Sequence, residues 1–167
     1  DSSACLVING RVVAAAEEEK FIRVKSASTF FPVNAIKACL KIAKIDIRQV
    51  QCIATDGVTY PQIKDKIIKS LQHYFKYSPR VEIFNHAQAH CAGAFFSSGF
   101  EKSLSISVDG SGDKISSSVE FYSKKKRSIN YKKLYKSDYK NSLGSFYTVF
   151  TNFLGFKSIE GENKLMG

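Results

Sequence analysis

The chain has 167 residues, 44% of them hydrophobic, and a net charge of +10 from 25 Lys or Arg against 15 Asp or Glu. That length suits one domain or one half of a two-lobed protein. No apolar run approaches the ~18 residues that a membrane-spanning helix needs, and the first residues lack the basic-then-apolar order of a signal peptide, so a cytoplasmic protein without a membrane partner is expected.

The opening stretch "ACLVINGRVVAAAEEE" predicts two strands joined at Asn9-Gly10, because an Asn-Gly pair supplies the two positive φ angles of a tight hairpin. The charged stretch "EEEKFIRVKSASTFF" is expected to add a third strand edge and a loop. Pro32 then opens a helix with Ala35, Ile36, Cys39, Leu40 and Ala43 at helical spacing. "VQCIAT" predicts a short buried strand. Pro61 opens a second helix that lines up Ile63, Ile67, Leu71 and Phe75, and "RVEIFN" predicts another strand. Asn85 is placed to cap a helix from about His86 to Phe96.

"SLSISVDGSGD" predicts a strand that ends in a turn. "SSSVEFYS" and "SINYKKLY" are expected to pair across a lysine-rich tip, and "SLGSFYTVFTNFLG" predicts an amphipathic helix closed by Gly155. The order implies an α/β fold with a mixed sheet flanked by helices. The hairpin that starts at residue 104 loosely repeats the N-terminal plan, so residues 1–103 and 104–167 are expected to belong to two lobes with a cleft between them. The chain begins without Met and stops at "KLMG", and it is expected to be a piece of something longer.

Residues 120 to 167 hold ten Lys or Arg against four acids, and the densest run is "SKKKRSINYKK", residues 123 to 133. With one aromatic, Tyr131, the run lacks the regular stacking platform of single-strand binders. A solvated hairpin tip is favoured over a nucleic-acid patch. Cys5, Cys39, Cys52 and Cys91 form no CxxC pair and sit among apolar residues, which predicts buried thiols rather than a disulfide framework.

Two constellations carry chemistry. His86 and His90, at i and i+4 in "NHAQAHCAGAFF", project from one helix face and can share a metal; two unconnected helix histidines are the alternative. In "VDGSGD" a strand runs into Asp109 and then Gly110, Ser111 and Gly112, whose backbone N–H groups can approach an anion; an ordinary tight turn is the alternative. "DSSACLVINGRVVAAAEEEKF" adds an acid and two serines before a hairpin, and Lys25 stands near a Ser- and Thr-rich loop.

Taken together, "DSSACLVINGRVVAAAEEEKFIRVK…FP", "NHAQAHCAGAFFSSGF", "VDGSGD", "SLGSFYTVFTNFLGF" and "EGENKLMG" resemble, in order, the N-terminal part of the O-carbamoyltransferases of nodulation-factor and antibiotic biosynthesis. That family belongs to the actin, sugar-kinase and heat-shock ATPase superfold, with its ribonuclease H-like lobes, and is similar to the tRNA threonylcarbamoyl-transferase proteins. The resemblance covers the whole chain and only part of a family member.

It implies a reaction in two stages. Carbamoyl phosphate and ATP give a carbamoyl-adenylate, which then carbamoylates a hydroxyl on a small molecule or sugar. It implies a divalent metal, iron first with zinc or manganese as alternatives, held by His86, His90 and Asp109, and by a further carboxylate beyond Gly167. It places the nucleotide against Gly110, Ser111 and Gly112. Lys25 takes the position of the family's active-site lysine, and Asp1 is what remains of its His-Asp pair. A homo-oligomer is compatible with all of this. The family's "GEGKVMG" departs here to Glu160-Gly161-Glu162-Asn163-Lys164-Leu165-Met166-Gly167, with Asn163 for a small residue, so a slightly shifted loop is expected. The competing readings are a sugar-kinase-like nucleotide lobe, which would bind Mg²⁺ through carboxylates and water, and a basic RNA-binding module from tRNA modification, whose affinity would fall steeply with salt.

Overall fold

The computed structural model describes residues 1–126, 128–158 and 161–166. The fold is α/β as expected, and among the described residues its strands form two two-stranded sheets and one of three strands. By internal contacts the chain divides into two compact units, residues 1–54 with 62–82, and residues 55–61 with 83–167.

In the first unit, β1 (Ser3–Ile8) and β2 (Arg11–Glu17) form an antiparallel hairpin. Its turn has φ of 51° at Asn9 and 74° at Gly10, the double positive φ that the sequence predicts. The expected third strand edge is instead a single helical turn, α1 (Glu19–Ile22). The reason is Glu18, which is 1% exposed despite lying in a run of acids. Its carboxylate accepts from the backbone N–H of Ala35 at 2.8 Å and from the side-chain amide of Asn34 at 2.6 Å. Those donors belong to the first turn of α2 (Val33–Ala43), whose N-cap, Pro32, makes no side-chain cap bond. Glu18 therefore caps α2 from a distance, satisfying N–H groups that a helix start leaves orphaned. The hairpin and α2 bury Ala14, Ala35 and Cys39 between them. α3 (Ile63–Phe75) follows Gln62 and buries Leu71.

The chain passes between the units within β3 (Cys52–Asp56) and β4 (Arg80–Phe84), which pair as a sheet. In the second unit, α4 (His86–Ser98) starts at Asn85, whose side chain accepts from the backbone N–H of Gln88 as expected. Then come β5 (Lys102–Gly112), β6 (Ile115–Lys125) and β7 (Ser128–Asp138), an antiparallel meander in the order β5-β6-β7. The strand expected to turn at "VDGSGD" runs through both glycines. The turn itself is Asp113-Lys114, with φ of 50° and 62°, between the paired residues Gly112 and Ile115.

The meander buries polar residues and exposes apolar ones. Ser105, Ser107, Ser116, Ser118 and Glu120 are buried, while Leu104, Ile106 and Val108 stand exposed on the opposite face. What makes the polar face a core is α4, whose Cys91 and Phe95 pack there against Tyr122, with the Phe95 and Tyr122 rings stacked at 5.1 Å. β6 and β7 pair across the lysine-rich tip as predicted. Lys125 and Lys126 are exposed there, while Lys124 is half-buried, with its ammonium 5.5 Å from the Phe95 ring centroid and 4.0 Å from Glu101. Arg127 of that run lies outside the described residues.

α5 (Leu143–Phe153) is capped by Ser142 and followed by Gly155 at φ 81°. The final stretch forms a short helix, α6 (Glu162–Met166), instead of a loop; Glu160 and Gly167 lie outside the described residues. All four cysteines are free; Cys39 and Cys91 are buried as expected, Cys52 is half-buried, and Cys5 is exposed, contrary to expectation. No helix among the described residues is long and apolar enough to cross a membrane.

Candidate metal centre

Everything in the cluster belongs to the second unit. α4 begins at His86, so residues 86 and 90 lie one turn apart on the same face. The Nε2 atoms of the two rings are 3.0 Å apart. From the end of β5, Asp109 brings Oδ2 to 2.8 Å from His86 Nε2 and 3.7 Å from His90 Nε2. Among the described residues these three form the group whose ligand atoms converge within 4.8 Å of one another. First-row divalent ions bind imidazole and carboxylate at roughly 2.0–2.2 Å, which puts neighbouring ligand atoms about 3 Å apart. The donor set and its spacing fit such an ion. The side chains are 28%, 55% and 36% exposed for His86, His90 and Asp109, so the cluster keeps an open side, beside a shallow cavity lined by Ile106, Ser107 and Val108.

Several residues that the sequence reading passed over hold this geometry. Asp56, the last residue of β3, receives His86 Nδ1 through Oδ2. Asp113, in the hairpin turn, is 7% exposed. Its Oδ2 accepts from the backbone N–H of His86 at 2.8 Å and of Gly57 at 3.3 Å, while Oδ1 accepts from the N–H and hydroxyl of Thr59. His86 is the first residue of α4, so its N–H has no partner within the helix; Asp113 supplies one. Burial works against charge on Asp113, but these donors together hold its carboxyl below the usual range. At His86, burial favours the neutral ring, yet the Asp56 and Asp109 carboxylates outweigh it and raise the imidazole above its ordinary value.

The glycines of "VDGSGD" have packing roles. A Cβ on Gly112 would overlap the His86 ring, reaching 2.7 Å from its Cβ. A Cβ on Gly144, in the first turn of α5, would come within 2.6 Å of Gly110 Cα, so the helix start can approach this backbone only without a side chain. Ser142 locks that approach: its hydroxyl donates to the Asp109 carbonyl at 3.0 Å and accepts from the Ser145 N–H. Gly110 and Gly112 are half-buried and Ser111 is exposed. Asp1 and Lys25 are exposed residues of the first unit.

One signal for Asp56 was present. "TDG" at 55 to 57 repeats the strand-acid-glycine pattern of "VDG" at 108 to 110.

The chain is 29% identical over 207 residues to the uncharacterized protein sll1178 of Synechocystis, covering all of this chain and 32% of that protein. It is 28% identical to the nodulation protein NolNO of Sinorhizobium fredii, over all of this chain and 27% of that one. With the uncharacterized protein MJ1051 of Methanocaldococcus jannaschii it shares 30% identity over 99% of this chain and 30% of that one. The chain thus spans about a third of the length of these relatives. Residues 57–167 match the family described as carbamoyltransferase N-terminus, a span that holds His86, His90, Asp109, Asp113 and the glycines between them. The chain belongs to the carbamoyltransferase family, and it corresponds to the family's N-terminal part.

Proposed function

We propose that this chain forms the metal-holding part of an O-carbamoyltransferase that acts in the cytoplasm on soluble substrates. In this reading the protein takes the carbamoyl group from a carbamoyl-adenylate, made from carbamoyl phosphate and ATP, and passes it to a hydroxyl of a small molecule or sugar. The observation that carries the reading is the convergence of two imidazole nitrogens and one carboxylate oxygen on a single open point, within a chain of this family. A sugar-kinase site for Mg²⁺ has no use for two imidazoles there.

His86, His90 and Asp109 would hold a divalent ion, iron first, with zinc or manganese matching the same mixed N and O donors. When bound, the ion supplies positive charge beside the adenylate phosphate and stabilises AMP as a leaving group. The residues do the rest. The His90 and Asp109 side of the cluster faces solvent, which gives a phosphate access. Gly110, Ser111 and Gly112 present backbone without bulky side chains at the end of β5, the place in the family resemblance where the nucleotide lies. The acceptor oxygen bonds to the carbamoyl carbon and gives up its proton to solvent, the bond from that carbon to the phosphate oxygen breaks, and AMP leaves with the electron pair. The same resemblance gives Lys25 the position of the family's active-site lysine and leaves Asp1 as the remnant of its His-Asp pair. The actin-like arrangement of lobes belongs to this proposal as well.

The test is elemental analysis of the full-length protein and of three variants, His86→Ala, His90→Ala and Asp109→Asn, together with carbamoyl transfer from carbamoyl phosphate and ATP. Metal on the parent, its loss with transfer in both histidine variants, and a partial loss in Asp109→Asn are expected. Equal metal in all four proteins, with normal turnover in the histidine variants, would reduce the pair to ordinary helix histidines.

A further inference from the structure

His86 has two ring nitrogens, and the cluster can use only one. Nε2 faces His90 and Asp109, at 3.0 and 2.8 Å. Nδ1 faces the other way and meets the Asp56 carboxylate. A metal-bound imidazole offers its lone pair at one nitrogen and carries its proton on the other, and the partner of that proton fixes which nitrogen is which. We propose that Asp56 is a positioning residue for the metal: by accepting the Nδ1–H of His86 it holds the ring so that Nε2 is the ligand atom. The inference rests on the metal-centre reading above.

The bond alone would be a weak warrant, because the Asp56 side chain is 45% exposed. What strengthens it is that both partners are fixed by a third group. One buried carboxylate oxygen, Asp113 Oδ2, accepts from the backbone N–H of His86 and from that of Gly57, the residue after Asp56. The donor and the acceptor of the Asp56–His86 bond therefore hang from the same atom. Gly112 keeps the space beside the ring open; with a side chain there, the ring could not occupy this position. Three separate devices thus set the orientation of one imidazole: a backbone anchor, a cleared face and a side-chain acceptor. His90, by contrast, has no contact with Asp56 or Asp113 among the bonds described, and its ring is more exposed. The site is built around His86.

The experiment uses the full-length protein, stripped with a chelator and titrated with Co²⁺, with binding read from the visible absorption of the cobalt. Four proteins are compared: the parent, His86→Ala, Asp56→Ala and Asp56→Asn. Asp56→Ala should weaken Co²⁺ binding about 10- to 100-fold, the usual cost of removing such an outer partner, and should change the shape of the cobalt band because the ring is free to turn. Asp56→Asn keeps an oxygen that accepts from Nδ1–H, so it should recover most of the affinity and the parental band. Thermal midpoints of both Asp56 variants should stay near the parent's, which separates ring placement from a structural role. Parental affinity and spectrum in Asp56→Ala would overturn the inference while leaving the metal site standing. Asn as poor as Ala would mean that the Asp56 charge, and not its acceptance of the Nδ1–H, is what the metal needs and would overturn it too, as would a fold lost together with the metal. Absence of cobalt binding from the parent would remove the metal reading and this inference with it.

Discussion

At its first turn, α4 carries His86 and His90, whose ring nitrogens point with Asp109 toward one open point. Further along, the same helix lies over Glu120, whose carboxylate is 0% exposed. There the donors point inward: the Ser118 hydroxyl at 2.9 Å, the Tyr122 hydroxyl at 2.7 Å, and the Lys133 ammonium at 3.6 Å. Both clusters combine a carboxylate with other polar groups, and by composition alone either would be a candidate site. The difference lies in direction. Around Glu120 the acceptor oxygens are consumed by the protein's own donors, so no valence is left for a ligand. Around His86, ring nitrogens and a carboxylate oxygen stand within 4 Å of one another around an open point, where a ring proton or a metal ion can be shared among them. Buried polar groups are satisfied for stability, whereas the His86 cluster keeps an exposed side.

The sharpest way to break this contrast is to remove one member from each cluster. Glu120→Ala leaves two buried hydroxyls without their acceptor and the part-exposed Lys133 ammonium without its carboxylate, which should cost about 1–3 kcal/mol. His90→Ala removes a half-exposed ring and should cost within about 0.5 kcal/mol. Urea unfolding of the metal-free proteins measures both. Similar losses in the two variants would mean that the histidine cluster is a structural element like the other.

A second comparison lies within "DGSG" itself. The sequence reading valued both glycines as backbone that an anion can approach. Only Gly112 has a steric reason to be Gly on its own account, since its missing Cβ makes room for the His86 ring, while a Cβ on Gly110 would meet nothing within 4 Å. Gly112→Ala should therefore weaken Co²⁺ binding tenfold or more, about 1.4 kcal/mol, because the ring must shift. Gly110→Ala should bind Co²⁺ as the parent does. If the two alanines had the same effect on the metal, the placement of the His86 ring against Gly112 would be wrong.

These contrasts also show what a sequence can carry. The hairpin at Asn9-Gly10, the Asn85 cap and the i,i+4 histidine pair were legible because their physics is local: turn dihedrals, a cap and a helical repeat. The site's frame was not. Glu18 lies in a charged stretch whose sequence predicts a strand edge and a loop, yet it caps a helix that starts 15 residues later. Asp113 was the end of a motif, yet its oxygens tie together segments at residues 57, 59 and 86. Carboxylates act through whichever N–H groups the tertiary fold brings to them, and sequence spacing holds no record of that. The burial of β6 has the same non-local origin: its Ser116, Ser118, Glu120 and Tyr122 positions are the buried face because α4 covers them.

The smallest effects should appear in pH, at opposite ends of the scale for the two regions. Near Glu120, burial pushes the Cys91 thiol up to about 11, with the Glu120 charge adding to it. The Tyr131 phenol goes up to about 12 for the same two reasons. These groups hold their protons longer in the folded chain than in the unfolded one. Their contribution is fully present below the ordinary thiol value of 9.0 and is lost as pH rises through the folded values. Asp113 works in the other direction. Its folded value lies below the ordinary 3.8, so its contribution is present above that pH and is lost as pH falls through the lower folded value. Thermal midpoints across the pH range should accordingly show two separable limbs. Cys91→Ala should flatten part of the alkaline limb and leave the acid one unchanged. Asp113→Asn should lower the midpoint at neutral pH and flatten the acid limb alone. Should either substitution alter the slope at the far end of the scale, the two clusters would be electrostatically joined, and the separation between a closed structural network and an open site on the same helix would fail.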